Sequence, residues 1–139
     1  RHMTYNPQMK EGKPYNKGIV QNDSRVLTGN YKFFEGINPS GERYPRSVQY
    51  FSSDSDGKNR GLHPTQKPVA LFEYLIKTYT NEGDLVLDNC MGSGTTAIAA
   101  IRTNRNFLGF ETDENYFNIA NKRIKEEHHE TANTKPNML

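Results

Sequence analysis

The sequence lacks tryptophan, contains one cysteine and has no apolar run that approaches the length of a membrane span. The lone Cys90 excludes an internal disulfide framework and a four-cysteine zinc site, and no other pattern indicates a metal. A spanning helix needs about 20 apolar residues and no signal peptide is evident, so we expect a cytoplasmic protein without a membrane partner. The 139 residues, 33% of them hydrophobic, have room for one modest core.

Basic residues are concentrated in the first half of the chain. Residues 1–67 carry 11 Lys and Arg against 6 Asp and Glu, whereas residues 68–139 carry 7 against 10. This asymmetry favours a polyanionic partner for the first half, although chance scatter of surface charge explains it equally well.

From Thr4 to Leu62 no apolar periodicity persists, and Gly, Pro, Asn and Ser recur throughout. We therefore predict an irregular segment, with short strands only near Tyr31–Phe34 and at Val48–Phe51. A loop is predicted over residues 54–59.

Regular secondary structure is predicted after His63-Pro64. Pro68 suits the first turn of a helix, and apolar residues follow with helical spacing, at Phe72, Leu75, Ile76 and Tyr79. The apolar run Leu85–Leu87, which ends at Asp88, predicts a buried parallel strand.

The chain then repeats this alternation. A glycine-containing turn over residues 89–94 leads into a second helix, whose inward residues are predicted to be Ala97, Ile98, Ala100 and Ile101. A second buried strand, Phe107–Phe110, ends at Glu111. A final helix starts near Thr112 or Asp113 and buries one side, formed by Tyr116, Phe117, Ala120 and Ile124. From about His128 we expect a frayed tail.

This order of elements is a βαβ unit and predicts an α/β fold. Two parallel strands leave an open edge and uncovered faces. We therefore expect a missing N-terminal half, a companion chain or a second copy of this chain to complete the sheet.

The turn Asp88-Asn89-Cys90-Met91-Gly92-Ser93-Gly94-Thr95-Thr96 lies where doubly wound sheets bind nucleotide-type ligands. Gly92 and Gly94 allow a sharp bend, and the amides at the start of the following helix favour an anionic group. Glu111 follows Gly92 by 19 positions, a spacing typical of a carboxylate that accepts ribose hydroxyls.

The position of Asp88 favours one cofactor over another. Its carboxylate would repel the pyrophosphate of a dinucleotide by about 1 kcal/mol, but would attract the ammonium and sulfonium of S-adenosylmethionine. The alternative is that Asp88 only caps the turn and that Glu111 is a solvated acid at a strand end.

Two segments carry a resemblance to a known family. His63-Pro64-Thr65-Gln66-Lys67-Pro68 and the turn from Asp88 resemble the cofactor-binding motifs of β-class DNA amino-methyltransferases, and the resemblance covers about residues 44–125. It implies part of the S-adenosylmethionine-dependent methyltransferase (Rossmann-like) fold, with a βαβ core preceded by an irregular segment. It also implies methyl transfer to adenine N6 or cytosine N4. The residues implied to bind the cofactor are His63, Thr65, Lys67, Asp88, Gly92, Ser93, Gly94, Thr95, Thr96 and Glu111.

The sequence departs from that family at two places. Asn89-Cys90 stands where members commonly have Pro-Phe, and we interpret Cys90 as a packing residue. No two prolines are adjacent, so the family's catalytic motif, a polar residue followed by Pro-Pro and an aromatic, is missing and no catalytic residue is assigned. We expect a C-terminal portion that is inactive alone.

The resemblance also implies a division of the chain. Residues 63–130 correspond to the cofactor-binding portion, and residues 4–62 fall where the family keeps its target-recognition region. The basic residues there that we predict to contact double-stranded DNA are Arg43, Arg46, Lys58 and Arg60. Two alternatives remain open: a non-catalytic or vestigial DNA-binding module, and a fragment of an RNA or protein methyltransferase.

Overall fold

The computed structural model describes residues 3–21, 33–52, 57 and 59–134. The chain divides into two units, one formed by Arg1–Asn6 with Val48–Leu139 and the other by Pro7–Ser47. No helix in the part of the chain that is described combines the length and the apolar character needed to cross a bilayer.

The unit Pro7–Ser47 contains an antiparallel pair of strands, β1 (Tyr15–Gln21) and β2 (Phe33–Asn38). Strand β1 was not predicted from the sequence. The strand expected near residues 31–34 corresponds to the start of β2, although residues 31 and 32 lie outside the described part. The register shifts between Asn16 and Ile19, where Gly18 has a φ of 70°. After β2, the Asn38 side chain accepts the Gly41 amide at 2.8 Å.

The strand predicted at Val48–Phe51 is absent, and that prediction was wrong. Val48 and Tyr50 are 82% and 89% exposed, and no neighbouring strand pairs with this segment in the described chain. Most of the loop predicted over residues 54–59 lies outside the described residues.

The other unit has the predicted order of elements: α1 (Val69–Tyr79), β3 (Leu85–Asp88), α2 (Thr95–Arg102), β4 (Asn106–Gly109) and α3 (Glu114–Thr134). β3 and β4 are parallel, with Leu87 opposite Leu108 and Asp88 opposite Gly109. The βαβ unit and the α/β fold are thereby confirmed.

A small core fills the space between the two strands and the helices. Its buried members are Val69, Ile76, Ile98, Ala99 and Ala100, against which Phe72, Val86, Phe107 and Ile124 pack. The inward residues predicted for α2 are buried, except for Ile101, which is half-buried. Phe117 is 47% exposed, so its predicted burial was wrong, and Leu75 and Tyr79 of α1 are 40% and 51% exposed.

The prediction that both strands are buried was also wrong. Side chains alternate between the two faces of a strand, and only the face of Val86 and Phe107 meets the helices. On the opposite face, four large apolar residues are each 47–63% exposed, namely Leu85, Leu87, Leu108 and Phe110.

The last helix starts as predicted and ends later than predicted. The Asp113 carboxylate accepts the amides of Asn115 and Tyr116 at 2.9 and 3.0 Å and caps α3. The helix continues to Thr134 rather than fraying from His128. Glu127 stabilises this region because it binds Arg102 of α2 through both carboxylate oxygens, at 2.7 and 2.9 Å.

Candidate functional site

An open cleft lies at the carboxyl end of β3, where the glycine turn leads into α2. It encloses about 410 Å³, a figure that includes the part open to solvent. Eight of the ten residues predicted to bind a cofactor line it: His63, Thr65, Lys67, Asp88, Gly92, Ser93, Thr95 and Thr96. Segments far apart in the sequence therefore meet at one cleft, as the sequence predicted.

Asp88 ties the end of β3 to the start of α2. Its Oδ1 accepts the Cys90 amide at 3.0 Å, and its Oδ2 accepts the hydroxyl of Thr96. Asp88 therefore does cap the turn, but a carboxylate offers about four acceptor positions. Two of them remain for a ligand in the cleft.

The turn itself depends on two glycines in left-handed conformations, Gly92 with a φ of 54° and Gly94 with a φ of 82°. Gly94 immediately precedes α2, and its amide donates to the Met91 carbonyl at 2.9 Å. It does not line the cleft. An added Cβ at Gly94 would lie 3.0 Å from the Cβ of Ala120, so the absence of a side chain lets α3 approach the turn.

Glu111 is the second predicted residue that does not line the cleft. Its Oε2 accepts the Gly92 amide at 2.7 Å, and its Oε1 accepts the amides of Thr112 and Asp113 at 2.8 and 2.9 Å. These bonds, of which the one from Asp113 contributes most, hold the pKa of Glu111 below its ordinary value. Glu111 thus reaches the cleft only through Gly92, a residue of its wall.

The histidine of the hexapeptide is fixed by two neighbours. His63 Nδ1 accepts the Thr65 amide at 3.2 Å, which leaves Nε2 as the ring's donor when the ring is neutral. The ring also packs edge-on against Tyr116 of α3, with the ring centroids 4.2 Å apart. A Cβ at Gly92 would lie 3.4 Å from the His63 ring, which is ordinary van der Waals contact, so it is the positive φ and not the histidine that favours glycine here.

Sequence reasoning missed several residues of the cleft. Its remaining lining comes from Gln66, Phe72, Cys90 and Met91. Gln66 braces the hexapeptide by accepting the Leu62 amide at 2.9 Å and donating to the Asn59 carbonyl at 2.6 Å. Cys90 is exposed, so its interpretation as a packing residue was wrong.

The residues predicted to bind DNA are distributed over both units. Arg43 and Arg46 belong to Pro7–Ser47 and Arg60 belongs to the other unit; all three are exposed. The Arg43 guanidinium lies 5.7 Å from the centre of the Tyr15 ring. Arg60 lines a small pocket beside the hexapeptide together with Lys67. Lys58 lies outside the described residues.

Comparison with known proteins agrees with this arrangement. The family model for DNA methylases, N6_N4_Mtase, matches residues 4–122. The chain is 48% identical over 67 residues to the type II methyltransferase M2.DpnII of Streptococcus pneumoniae, covering 48% of this chain and 25% of that protein. It is 41% identical over 111 residues to M1.MboII of Moraxella bovis, covering 76% and 39%.

A solved structure of the same kind is also similar. The crystal structure of an M1.HpyAVI–SAM complex superposes with a TM-score of 0.51 and 32% identity, over 80% of this chain and 63% of that one. The chain spans only a quarter to two fifths of the length of the two curated relatives named above. On the family match, which covers the hexapeptide, the glycine turn and Glu111 together, this chain belongs to the N6_N4_Mtase family of DNA methylases.

Proposed function

We propose that this chain is the cofactor-binding part of a DNA amino-methyltransferase and that it binds S-adenosylmethionine in the cleft. The observation that carries the proposal is the charge of the cleft wall: the Asp88 carboxylate, the Lys67 ammonium and the first turn of α2 line one cavity. Asp88 attracts the sulfonium or ammonium group of such a ligand. Lys67 attracts its carboxylate, as do the first-turn amides of α2, which have no carbonyl partner within the helix.

The chemistry of the cleft fits this cofactor. The half-buried Phe72 adds an apolar surface to the charged wall, and the M1.HpyAVI structure, 32% identical, is named as a SAM complex. When bound, the cofactor supplies an electrophilic methyl group. The residues of this chain bind and orient it, which lowers the entropic part of the barrier to transfer.

The proposal assigns a different role to each of two parts of the chain. Residues 63–130 hold the cofactor, and residues 4–62 contact double-stranded DNA through a basic set formed by Arg43, Arg46, Lys58 and Arg60. The target amine is adenine N6 or cytosine N4. The chain has no Pro-Pro sequence, so we expect it to bind cofactor without transferring methyl groups by itself.

A companion segment or chain that carries the catalytic motif is also part of the proposal. The exposed apolar face of the β3–β4 pair is the surface that it would cover, because each of its four large residues leaves about half or more of its area in water. Self-association through this face is the alternative. Sedimentation velocity of the purified chain distinguishes a dimer from a monomer. A stable monomer that also binds no co-expressed segment carrying the catalytic motif would contradict both the companion and the self-association.

Cofactor binding is tested by titration calorimetry with S-adenosylmethionine and with S-adenosylhomocysteine. Asp88→Asn keeps the shape and the Cys90 bond but removes the charge, so we expect about tenfold to hundredfold weaker binding of S-adenosylmethionine. The matched control is Asp84→Asn, which removes an exposed carboxylate just before the other end of β3 and should leave affinity unchanged.

Two results would count against the proposal. Failure of the wild-type chain to bind either ligand at millimolar concentration would remove the cofactor assignment. Transfer of labelled methyl groups to duplex DNA by the chain alone would contradict its expected inactivity.

A further inference from the structure

A charged side chain of α3 reaches the glycine turn from outside the recognised motifs. Arg123 is only 5% exposed. Its Nη1 donates to the carbonyl oxygen of Ser93 at 2.6 Å and to the Ser93 hydroxyl at 3.2 Å. Arg123 itself does not line the cleft, whereas Ser93 does.

The neighbouring residue of the turn is bound by the opposite charge. The Gly92 amide donates to Glu111 at 2.7 Å. An anionic side chain therefore takes the amide of Gly92, and a cationic side chain takes the carbonyl of Ser93. Charge-assisted hydrogen bonds are stronger than neutral ones, so each bond constrains the backbone more firmly than a peptide–peptide contact does.

These bonds matter because the glycines of the turn can adopt many backbone conformations. Gly92 and Gly94 both have positive φ values, and glycine loses more conformational freedom on ordering than any other residue. A binding loop that must be ordered by its ligand binds more weakly than one already in the required shape. External bonds to the turn remove that cost.

We infer that Arg123 is a positioning residue for the ligand cleft: it holds the Ser93 peptide so that the glycine turn keeps its shape before a ligand arrives. The effect on the turn follows from the contacts themselves, and the effect on cofactor affinity rests on the proposed function. Arg123 acts through Ser93 and contacts no reacting group.

The test compares Arg123→Met with Arg102→Met in the full chain. Arg102 is the control because it too is an arginine that links α3 to another segment: it joins α2 to α3 through Glu127, and its bonds do not reach the turn. Three quantities are measured: thermal stability, the Kd for S-adenosylhomocysteine, and the hydrogen-exchange rate of the Gly94 amide relative to that of Arg105. The Gly94 amide donates to Met91 within the turn. The Arg105 amide, which lies beyond the far end of α2, donates to Ala100.

We expect both variants to lower stability, but only Arg123→Met to accelerate Gly94 exchange relative to Arg105 and to weaken ligand binding about tenfold to hundredfold. One guanidinium nitrogen makes both bonds to Ser93. Arg123→Lys, which also presents one charged nitrogen, should therefore recover most of the affinity.

Wild-type Gly94 exchange in Arg123→Met, or an equal change in Arg102→Met, would overturn the inference. If the wild-type chain bound no S-adenosylhomocysteine, the proposed function would fail. The exchange ratio would still decide whether Arg123 holds the turn, because it requires no ligand.

Discussion

Replacing Gly94 with alanine should destabilise the protein far more than the same replacement at Gly83. Both glycines have a φ of 82°, so the strain of placing an L residue in the left-handed region is common to the two variants. They differ in their surroundings. A Cβ at Gly83 would meet nothing within 4 Å, whereas a Cβ at Gly94 would lie 3.0 Å from the Cβ and 3.2 Å from the Cα of Ala120.

The magnitudes follow from these contacts. A left-handed L residue costs about 1–2 kcal/mol, and the lower entropy of the unfolded chain offsets about 0.4–1 kcal/mol of that cost. Gly83→Ala should therefore lower the free energy of unfolding by about 0–1.6 kcal/mol. Overpacking adds about 1–3 kcal/mol, so Gly94→Ala should lower it by about 1–4.6 kcal/mol, because the atoms that it meets are the Cβ and Cα of Ala120 and not the end of a flexible side chain.

The assay is urea unfolding followed by far-ultraviolet circular dichroism. Ala120→Gly removes the nearer of the two contacting atoms, so Gly94→Ala should cost less in that background, with a coupling energy of about 0.5–3 kcal/mol. Equal destabilisation by Gly94→Ala and Gly83→Ala, or a coupling energy of zero, would refute the view that α3 packs against the turn.

Two further predictions concern the same end of the sheet. Gly109→Ala should destabilise the protein less than Gly94→Ala does, because its Cβ would overlap only the end of the Met91 side chain, which is flexible and can move away; Met91→Ala in the same background should recover any remaining loss in urea unfolding. Because the pKa of Glu111 lies below its ordinary value of 4.5, its contribution to stability should be complete above that value and disappear as the pH falls through the lower folded-state pKa. Glu111→Gln should lack this acid-dependent step, and an identical pH profile for the two proteins would contradict the assignment.

Local sequence signals predicted most of the elements in the unit that contains α1, β3, α2, β4 and α3. Helical spacing located α1, the Asp113 side chain marked the start of α3, and the apolar runs marked both parallel strands. One part of the cleft could be anticipated from local features, because it comes from the carboxyl end of a strand and from a turn contiguous with it; the hexapeptide that forms the rest of the wall was assigned to the site only through the family resemblance.

What the sequence could not predict depends on contacts between distant segments. The Ser93–Arg123 bond joins residues 30 positions apart. The spacing from Tyr116 and Ala120 places Arg123 on the inward side of α3, but nothing in the sequence indicates which group it binds. Strand β1 was not predicted because its sequence does not alternate apolar and polar residues. The exposure of Leu87 was missed for another reason: an apolar run is buried only when something covers both of its faces.

Glu111 binds the backbone of the glycine turn, in addition to the ligand-binding role that the sequence predicts for it. The sequence assigns its carboxylate to a ribose, whose two hydroxyls would be donors, but in the structure backbone amides already donate to it from Gly92, Thr112 and Asp113. A carboxylate has about four acceptor positions, so only one remains, on the oxygen that binds Gly92. A diol that donates twice to Glu111 must therefore displace an amide, whereas a diol that donates once can leave the turn intact. If the two hydroxyls bind one to each oxygen, the amide displaced is that of Thr112 or Asp113, and the Gly92 bond remains. If both hydroxyls bind the oxygen that accepts Gly92, that bond is given up and ligand binding is coupled to the conformation of the glycine turn. In that case the bonds from Arg123 to Ser93 are the ones that would keep the turn in place.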